Sequence, residues 1–538
     1  MARFCAMSLR SRAARATPAP QIGRLASAAL LLSASFVLSR VLGVLRNVVI
    51  ADIFGNSRAV EAYFAAFRIP DTMFMLVSGG ALASALIPTF AGLLEQGEER
   101  EAWKIAGTVI NSSCLALGAI ALVAYAFTPQ IMDILVQGYT PSERALTVDL
   151  TRIMLWQPIF LGVAAILMSI LQTYHRFLPT AVAPLLYNLA VILGAWLFGG
   201  TYGVHALAWA VVIGAIAQFG ILLPGLKSEL IHRYRLSIDW SIAEAREVLR
   251  LFAPRVVGLA AFQLMMLITL FLAARLPPGN VGAINYSFPL VMFPIGALGT
   301  AAATAIFPTL SRLTAAEDLT TVRRTVNRTL RMVLFVALPS SVGLLVLRRP
   351  LINLLFNHGL WTFSATEQTA FALLFFSLAV APLAVVEVLP RVFYAMKDTV
   401  TPVRIAVAVV VLDAVLSVVF VNVLPRDSGQ GGLALATAIA SLAQALWLGV
   451  AVEKRLGGVG RRSLLFTLRD AGLASLVMGM VLYIALDPLT ALFAQHGWGA
   501  LMTVAVELVL GFSTFVLTAY ILGAPELSQV LAFVERQR

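Results

Sequence analysis

Cysteine, histidine and charge are what this 538-residue chain has least of. Its two cysteines, Cys5 and Cys114, exclude a disulfide framework, and their spacing excludes a cysteine-rich metal site. Five scattered histidines fit a catalytic zinc centre poorly, so no metal site is expected. No phosphate-binding loop, dinucleotide fingerprint or hydrolase nucleophile elbow occurs, so nothing points to nucleotide hydrolysis or to an enzyme. Charged residues make up 12% of the chain, too few to solvate the surfaces of soluble domains adding up to this length. The alternating ten-residue segments of a membrane β-barrel are missing as well.

What is present is apolar. Sixty per cent of the residues are hydrophobic, and the mean hydropathy is +0.89. Fourteen stretches reach or exceed the roughly 20 residues that cross a bilayer core as helix. The expected class is an all-α polytopic membrane protein. A basic tail covers 1–25, six helices 26–226, a loop 227–247, six more helices 248–452, two helices 453–524 and a tail 525–538. The loop carries Ile242, Ala245 and Val248 at helical spacing, which predicts a helix lying on the membrane surface.

The net charge of +12 follows topology rather than nucleic acid. With span ends counted in the segments they abut and the N-terminus inside, 27 Lys and Arg lie on the cytoplasmic side and 6 outside. That asymmetry predicts an inner-membrane protein with both termini cytoplasmic. The clusters Arg323/Arg324/Arg328/Arg331 and Arg461/Arg462 are read chiefly as topology signals, with lipid contact as the alternative.

An internal repeat sets the architecture. Gly80–Leu93 and Thr300–Leu313 align, with Pro88-Thr89 over Pro308-Thr309 at an offset of 220. Pro184 and Pro402 align at an offset of 218. Two matches at nearly one offset predict a duplicated six-helix unit, with two lobes about an axis along the membrane normal and a substrate site between them.

Charges within the spans are the candidate site residues, because each costs several kcal/mol in hydrocarbon unless paired or hydrated. Arg40 lies about 14 residues into the first span, roughly 21 Å deep. A guanidinium at that depth suits an anionic ligand, since it stays charged and grips phosphate bidentately. Arg46 lies nearer the outer interface, where reaching out to headgroups is the alternative. Gly43 between them permits a bend or close packing. Arg68 and Asp71 flank Pro70, ahead of Gly79-Gly80, which suggests a broken helix at a cavity wall or a local ion pair. Arg255, after Pro254, is a further candidate for the anion site. Asp413, in an otherwise apolar span, is the candidate monovalent-cation site, with a neutral carboxyl as the alternative; Glu387 and Glu507 are similar isolated acids. Asp52, Arg58 and Glu61 are expected at a solvated outer rim, and Asn188 and Gln263 as interhelical hydrogen-bond partners.

These residues fall in recognisable order. Ser39-Arg-Val-Leu-Gly with Arg46, Ile53-Phe-Gly55, Phe67-Arg-Ile-Pro70, Ala183-Pro-Leu-Leu-Tyr-Asn188, Leu355-Phe-Asn-His-Gly359 and Asp398-Thr-Val-Thr-Pro402 resemble the MurJ/MviN family over about residues 26–524. The resemblance implies fourteen helices and the fold of the multidrug/oligosaccharidyl-lipid/polysaccharide exporters. It implies flipping of lipid II, the undecaprenyl-diphosphate-linked peptidoglycan precursor, by alternating access. A cationic cavity would hold the headgroup, with Arg40 and Arg46 matching its arginines, and a groove by the last two helices would take the tail. Phe74, Pro289 and Met292 depart from the charged residues common in that family. No cofactor is expected beyond coupling to a monovalent cation or an anion. The expected partners are lipid II or a related polyprenyl-diphosphate lipid, together with cell-wall synthesis proteins, on a monomeric carrier. Export of another polyprenyl-linked glycan or of small cations, and a membrane scaffold, are the competing readings.

Overall fold

The computed structural model describes residues 19–78, 81–494 and 498–528, and every regular element among them is helical. The first half comprises α1 (Ala19–Phe54), α2 (Arg58–Ser78), α3 (Ala81–Glu95), α4 (Glu99–Leu135), α5 (Pro141–Met154), α6 (Gln157–Thr173), α7 (Phe177–Tyr202) and α8 (Val204–Gly220). A short α9 (Lys227–His232) precedes α10 (Ala243–Ala273) and α11 (Asn280–Ile295), and a π-turn at Gly296–Thr300 leads into α12 (Ala301–Ala315). Then come α13 (Leu319–Phe356), α14 (Phe363–Leu378), α15 (Val380–Ala395), α16 (Val400–Val423), α17 (Gly429–Leu456), α18 (Arg461–Phe493) and α19 (Gly499–Ile521).

Ten helical segments are long and apolar enough to cross a membrane, eleven if α14 and α15, bent by 45° at their break, form one span. The three remaining expected spans are α2–α3, α10 and α11–α12. Helix α2 carries Glu61, Arg68 and Asp71, the π-turn at Gly296–Thr300 parts α11 from α12, and Leu259–Ala273 is the apolar part of α10 among the described residues. Large apolar side chains point outward around the bundle, among them Leu122 at 71% exposure and Phe512 at 71%, as a lipid-facing surface requires.

Local chemistry explains the boundaries. Thr140 and Glu143 form a reciprocal capping box on α5, with Pro141 in its first turn. Asp318 caps α13 through the Thr321 amide at 3.0 Å. Asp398, in the motif before α16, accepts from the Val400 and Thr401 amides at 3.1 and 3.0 Å. The Thr401 hydrogen bonds hold its carboxyl below the usual aspartate range. Pro289 and Pro294 remove two donors from α11, and the helical register slips into the π-turn just beyond them.

The packing differs between the two ends of the bundle. At one end a single core draws together both halves, including Tyr63, Val136, Tyr286, Phe356 and Trp361. Tyr286 meets Phe64 edge-on at 5.3 Å and Trp361 at 5.0 Å, and its hydroxyl donates to the Gly55 carbonyl at 3.0 Å. At the other end two separate cores form. One is built on Phe90, Trp103 and Leu171, the other on Leu310, Val388 and Phe393. The halves therefore close against each other at one end and diverge toward the other.

One local expectation changes. Ile242 precedes Ala243, where α10 starts and runs unbroken to Ala273, so this stretch leads directly into a long helix instead of forming a separate surface helix. The side chains of Ala245 and Val248 lie outside the described residues. The chain before it folds back on α4, where Asn111 donates to the carbonyls of Arg235 and Ser237.

The closed end is tight at Gly359, whose φ is +54° and whose Cβ position is occupied by the Asp52 carbonyl. Leu360 donates to that carbonyl at 2.8 Å. Gly359→Ala is expected to cost at least about 2 kcal/mol from the left-handed backbone and the clash. A melting temperature of the purified variant within a degree of the parent would show that the seal does not depend on this contact.

Candidate functional site

The seal is polar at its centre. Glu61 is 0% exposed. Its Oε1 accepts from the backbone N–H groups of Val281 and Gly282 at 2.8 and 3.2 Å. These are first-turn amides of α11, so a carboxylate from α2 caps a helix in the other half. Arg58 pairs with Glu61 at 2.8 Å and lies over the Tyr139 ring at 4.9 Å. Asn56 donates to the Gly279 carbonyl at 2.8 Å. The expected solvated rim is thus partly corrected: Glu61 is buried because it serves as the cap.

Two turns further along α2, Arg68 and Asp71 enter a cavity of about 230 Å³. Asn285, Gln263 and Thr437 complete its polar wall, and Phe262, Phe288, Pro289 and Phe376 its apolar one. An Arg68 guanidinium nitrogen lies 3.5 Å from Asn285 Oδ1, while its Nε is buried and unpartnered. Arg68 and Asp71 form no direct ion pair in the structure; both face the same space. The α2 helix passes through Pro70 without a break, and Gly79-Gly80 lie outside the described residues.

Arg46 does not reach out to headgroups. Its Nε is buried without a hydrogen-bond partner, and its charge acts on Tyr63, Asp71 and Tyr187. Arg46, Arg68 and Asp71 therefore share one electrostatic site with an excess of positive charge.

Arg40 sits elsewhere. Its Nη1 donates to the Met292 carbonyl at 3.0 Å, and its guanidinium lies 5.0 Å from the Phe36 ring centre. A Cβ on Gly296 would stand 2.7 Å from its Cζ, so the π-turn glycine makes room for the cation. Arg40 is pinned to the wall between two spaces. On one side is the Arg68 cavity, reached by Pro289. On the other is an apolar groove of about 1010 Å³ reached by Leu290, Phe293 and Pro294. Val41, Val44, Leu45 and Val48 of α1 line that groove with residues of α13, α18 and α19.

The other candidates separate cleanly. Helix α1 is continuous through Gly43, and a Cβ there would meet nothing within 4 Å, so neither a bend nor close packing is found. Arg255 falls on α10, but its side chain lies outside the described residues. Asp413 is 0% exposed with neither oxygen hydrogen-bonded, and the Ser417 hydroxyl one turn on is buried and unpartnered as well. Glu507 is also 0% exposed and unpartnered, against the apolar groove. Asn188 Nδ2 lies 3.4 Å from Ser39 Oγ, joining α7 to α1 as expected, and Gln263 of α10 faces Asp71 of α2 across the cavity. Asn285 was missed by sequence reading. Only its position one turn beyond the amides that Glu61 caps reveals it.

A helical bundle sealed at one end, with a charged cavity between its halves and an apolar groove beside it, defines a multi-pass membrane transporter. The model of the family described as lipid II flippase MurJ matches residues 50–521, and the chain belongs to that family. It is 30% identical over 471 residues to the lipid II flippase MurJ of Burkholderia cenocepacia, covering 86% of this chain and 90% of that one. It is 28% identical to a probable lipid II flippase MurJ of Bdellovibrio bacteriovorus, covering 93% and 95%. The fold is similar to a solved structure described as lipid II flippase MurJ in an inward closed conformation. The TM-score is 0.75 at 24% identity, covering 91% of this chain and 98% of that one. It is also similar to an inward-facing MATE family multidrug transporter of the MOP superfamily, with a TM-score of 0.67 at 13% identity and coverage of 81% and 99%.

Removing the Glu61 carboxylate leaves Arg58 and two amides without their partner, a loss of about 3–5 kcal/mol where charge is buried. Glu61→Ala should loosen the seal. In a background with Cys5 and Cys114 replaced by serine, a thiol introduced as Asn285→Cys should then react faster with a membrane-impermeant maleimide added at the sealed face. Unchanged labelling would show that the cap does not hold the halves together.

Proposed function

We propose that this chain carries lipid II from the inner to the outer leaflet of the cytoplasmic membrane by alternating access. The observation that carries this reading is the pairing of an arginine-bearing cavity with an apolar groove across one wall, in a bundle closed at one end. Headgroup and tail of a polyprenyl-diphosphate lipid need those two environments side by side. The sealed end is the outer face, because the loops at the opposite end hold most of the Lys and Arg. Two six-helix lobes, with broken helices at matching places (α5–α6 with α14–α15), rock about the cavity, and α18 and α19 complete the groove.

Arg46 and Arg68 are the groups that meet the diphosphate in this conformation. Arg40 joins them when its bond to the Met292 carbonyl opens. Pro289 makes the cavity wall neutral there, and Arg68 supplies charge from the facing helix. A second reading, export of another polyprenyl-linked glycan, is favoured by Asp71, whose charge restricts which headgroup fits. Reconstituted vesicles offered lipid II and an undecaprenyl-linked glycan lacking the pentapeptide separate the two, since flipping of the second alone would overturn the lipid II assignment.

The driving force is the membrane potential. Each net negative charge moved outward gains about 2.3 kcal/mol per 100 mV. Asp413 is the proposed site for a coupling proton or monovalent cation, because its carboxyl is buried without a hydrogen-bond partner.

In such vesicles Arg68→Ala is expected to lower flipping at least tenfold, Arg40→Ala to abolish it and Arg40→Lys to restore part of it. Full flipping by Arg40→Ala at equal protein level would remove that residue from the mechanism. Asp413→Asn should flatten the dependence of flipping on pH or cation gradient, and an unchanged dependence would discard Asp413 as the coupling site.

A further inference from the structure

The apolar groove walled by α1, α11, α13, α18 and α19 holds a carboxyl group that carriage of a lipid leaves unused. Among the described residues that line its space of about 1010 Å³, Glu507 is the one ionisable group, and Ser340 is the other with a polar side chain. The Ser340 hydroxyl is engaged, donating to the Val336 carbonyl at 2.8 Å. Glu507, on α19, is 0% exposed, and neither of its oxygens has a hydrogen-bond partner. A hydrocarbon chain lying in the groove offers it neither a donor nor a charge.

The arginines around the groove bond elsewhere. Arg40, beside the lining residue Val41, donates to the Met292 carbonyl at 3.0 Å. Arg348, beside Leu347, donates to the Leu345 carbonyl at 2.6 Å. Arg331 is matched by Glu526 at 2.6 Å. A buried carboxylate without a counter-charge is strongly unfavourable, and a cation brought in by a ligand removes that cost.

The walls decide which cation. A metal ion needs several oxygen ligands around it, and here one carboxyl stands among hydrocarbon. What the groove adds is aromatic: Phe293, Phe335, Phe512 and Phe515. Ring faces attract a cation, most strongly where water is excluded. Phe335 and Phe515 lie with ring centres 5.1 Å apart, and Phe515 is two turns from Glu507 on the same helix. Leu508 and Phe512 are exposed, so the groove is open on their side. Its volume is that of sites enclosing small organic molecules.

We propose that the groove is a binding site for lipophilic organic monocations, with the Glu507 carboxylate facing the charge and the phenylalanine rings packing on the apolar body. It is opposite in sign to the Arg46–Arg68 cavity beyond the Arg40 wall, so the chain keeps a cation site and an anion site in separate compartments. The proposal holds whether or not the chain flips lipid II.

The test is equilibrium dialysis of the full chain in phosphatidylcholine nanodiscs against tetraphenylphosphonium, corrected for uptake by empty nanodiscs. The probe has a permanent charge and no hydrogen-bond donor. Glu507→Gln, close to the parent in size, should weaken binding at least tenfold at an unchanged melting temperature, and Glu507→Asp should recover part of the affinity. Phe512→Leu, at an exposed side chain, should weaken binding about threefold. Tetraphenylborate, of the same shape and opposite charge, should not bind above the level of empty nanodiscs. No binding by the parent, or binding by Glu507→Gln within twofold of it, overturns the site. If Glu507→Gln does not fold, undiminished binding by Phe512→Leu overturns it equally. Retention of tetraphenylborate as strong as that of the cation overturns charge recognition and leaves a groove for any apolar solute. Displacement of the probe by millimolar sodium or potassium overturns the organic class in favour of an inorganic cation.

Discussion

A buried carboxylate on the end of a facing helix holds this architecture. Glu61 satisfies two amides of α11 that have no partner within their own helix, in surroundings where water cannot serve them. That contact fixes α2 against α11 in one register. Everything deeper follows by helical spacing: Arg68 arrives two turns from Glu61, and Asn285 one turn from Val281. Arg58 neutralises the carboxylate, and the aromatic cluster around Tyr286 excludes water from it. Such a contact is strong while closed, yet it joins only two helices. Separating the halves at this end therefore breaks this cap together with the single core packed around it.

The same economy governs the interior. The membrane tolerates charge only where side chains are shared between segments or face a cavity. Arg46, Arg68 and Asp71 lie together, and Arg40 spends its donor on a carbonyl near the π-turn, where Pro289 and Pro294 have loosened the helix. A single irregular stretch of α11 and α12 thereby separates a polar space from an apolar one. Movement of that stretch alters both at once, which is what a carrier of an amphipathic lipid requires.

The apolar groove and a cleft lined by Arg323, Arg324, Arg328 and Arg331 share α13 and α18 as walls. Glu526 holds the junction by matching Arg331 and accepting from Thr467. The two C-terminal helices are thus more than an appendage to the duplicated halves: without α18 and α19 neither the groove nor the cleft would close.

The sequence by itself determined the class, because long apolar runs have few solutions in water and a narrow range of solutions in a bilayer. It also determined how deep each arginine lies along its own helix, and it supplied in Pro289 and Pro294 the missing donors that precede the π-turn. Family membership was legible in ordered motifs such as Ser39–Gly43 and Asp398–Pro402, of which the second serves as a helix cap. Tertiary structure alone decided what each face meets. Arg40 and Met292 are 252 positions apart, and Glu61 and Val281 220 apart. Helical periodicity assigns residues to a face of one helix, but the neighbour of that face is set by packing between remote segments. For that reason Glu61 read as a solvated rim residue and proved buried, Gly43 read as a place for close packing and has no neighbour within 4 Å of a Cβ, and one of the two arginine clusters read as topology signals, Arg323–Arg331, lines a cleft.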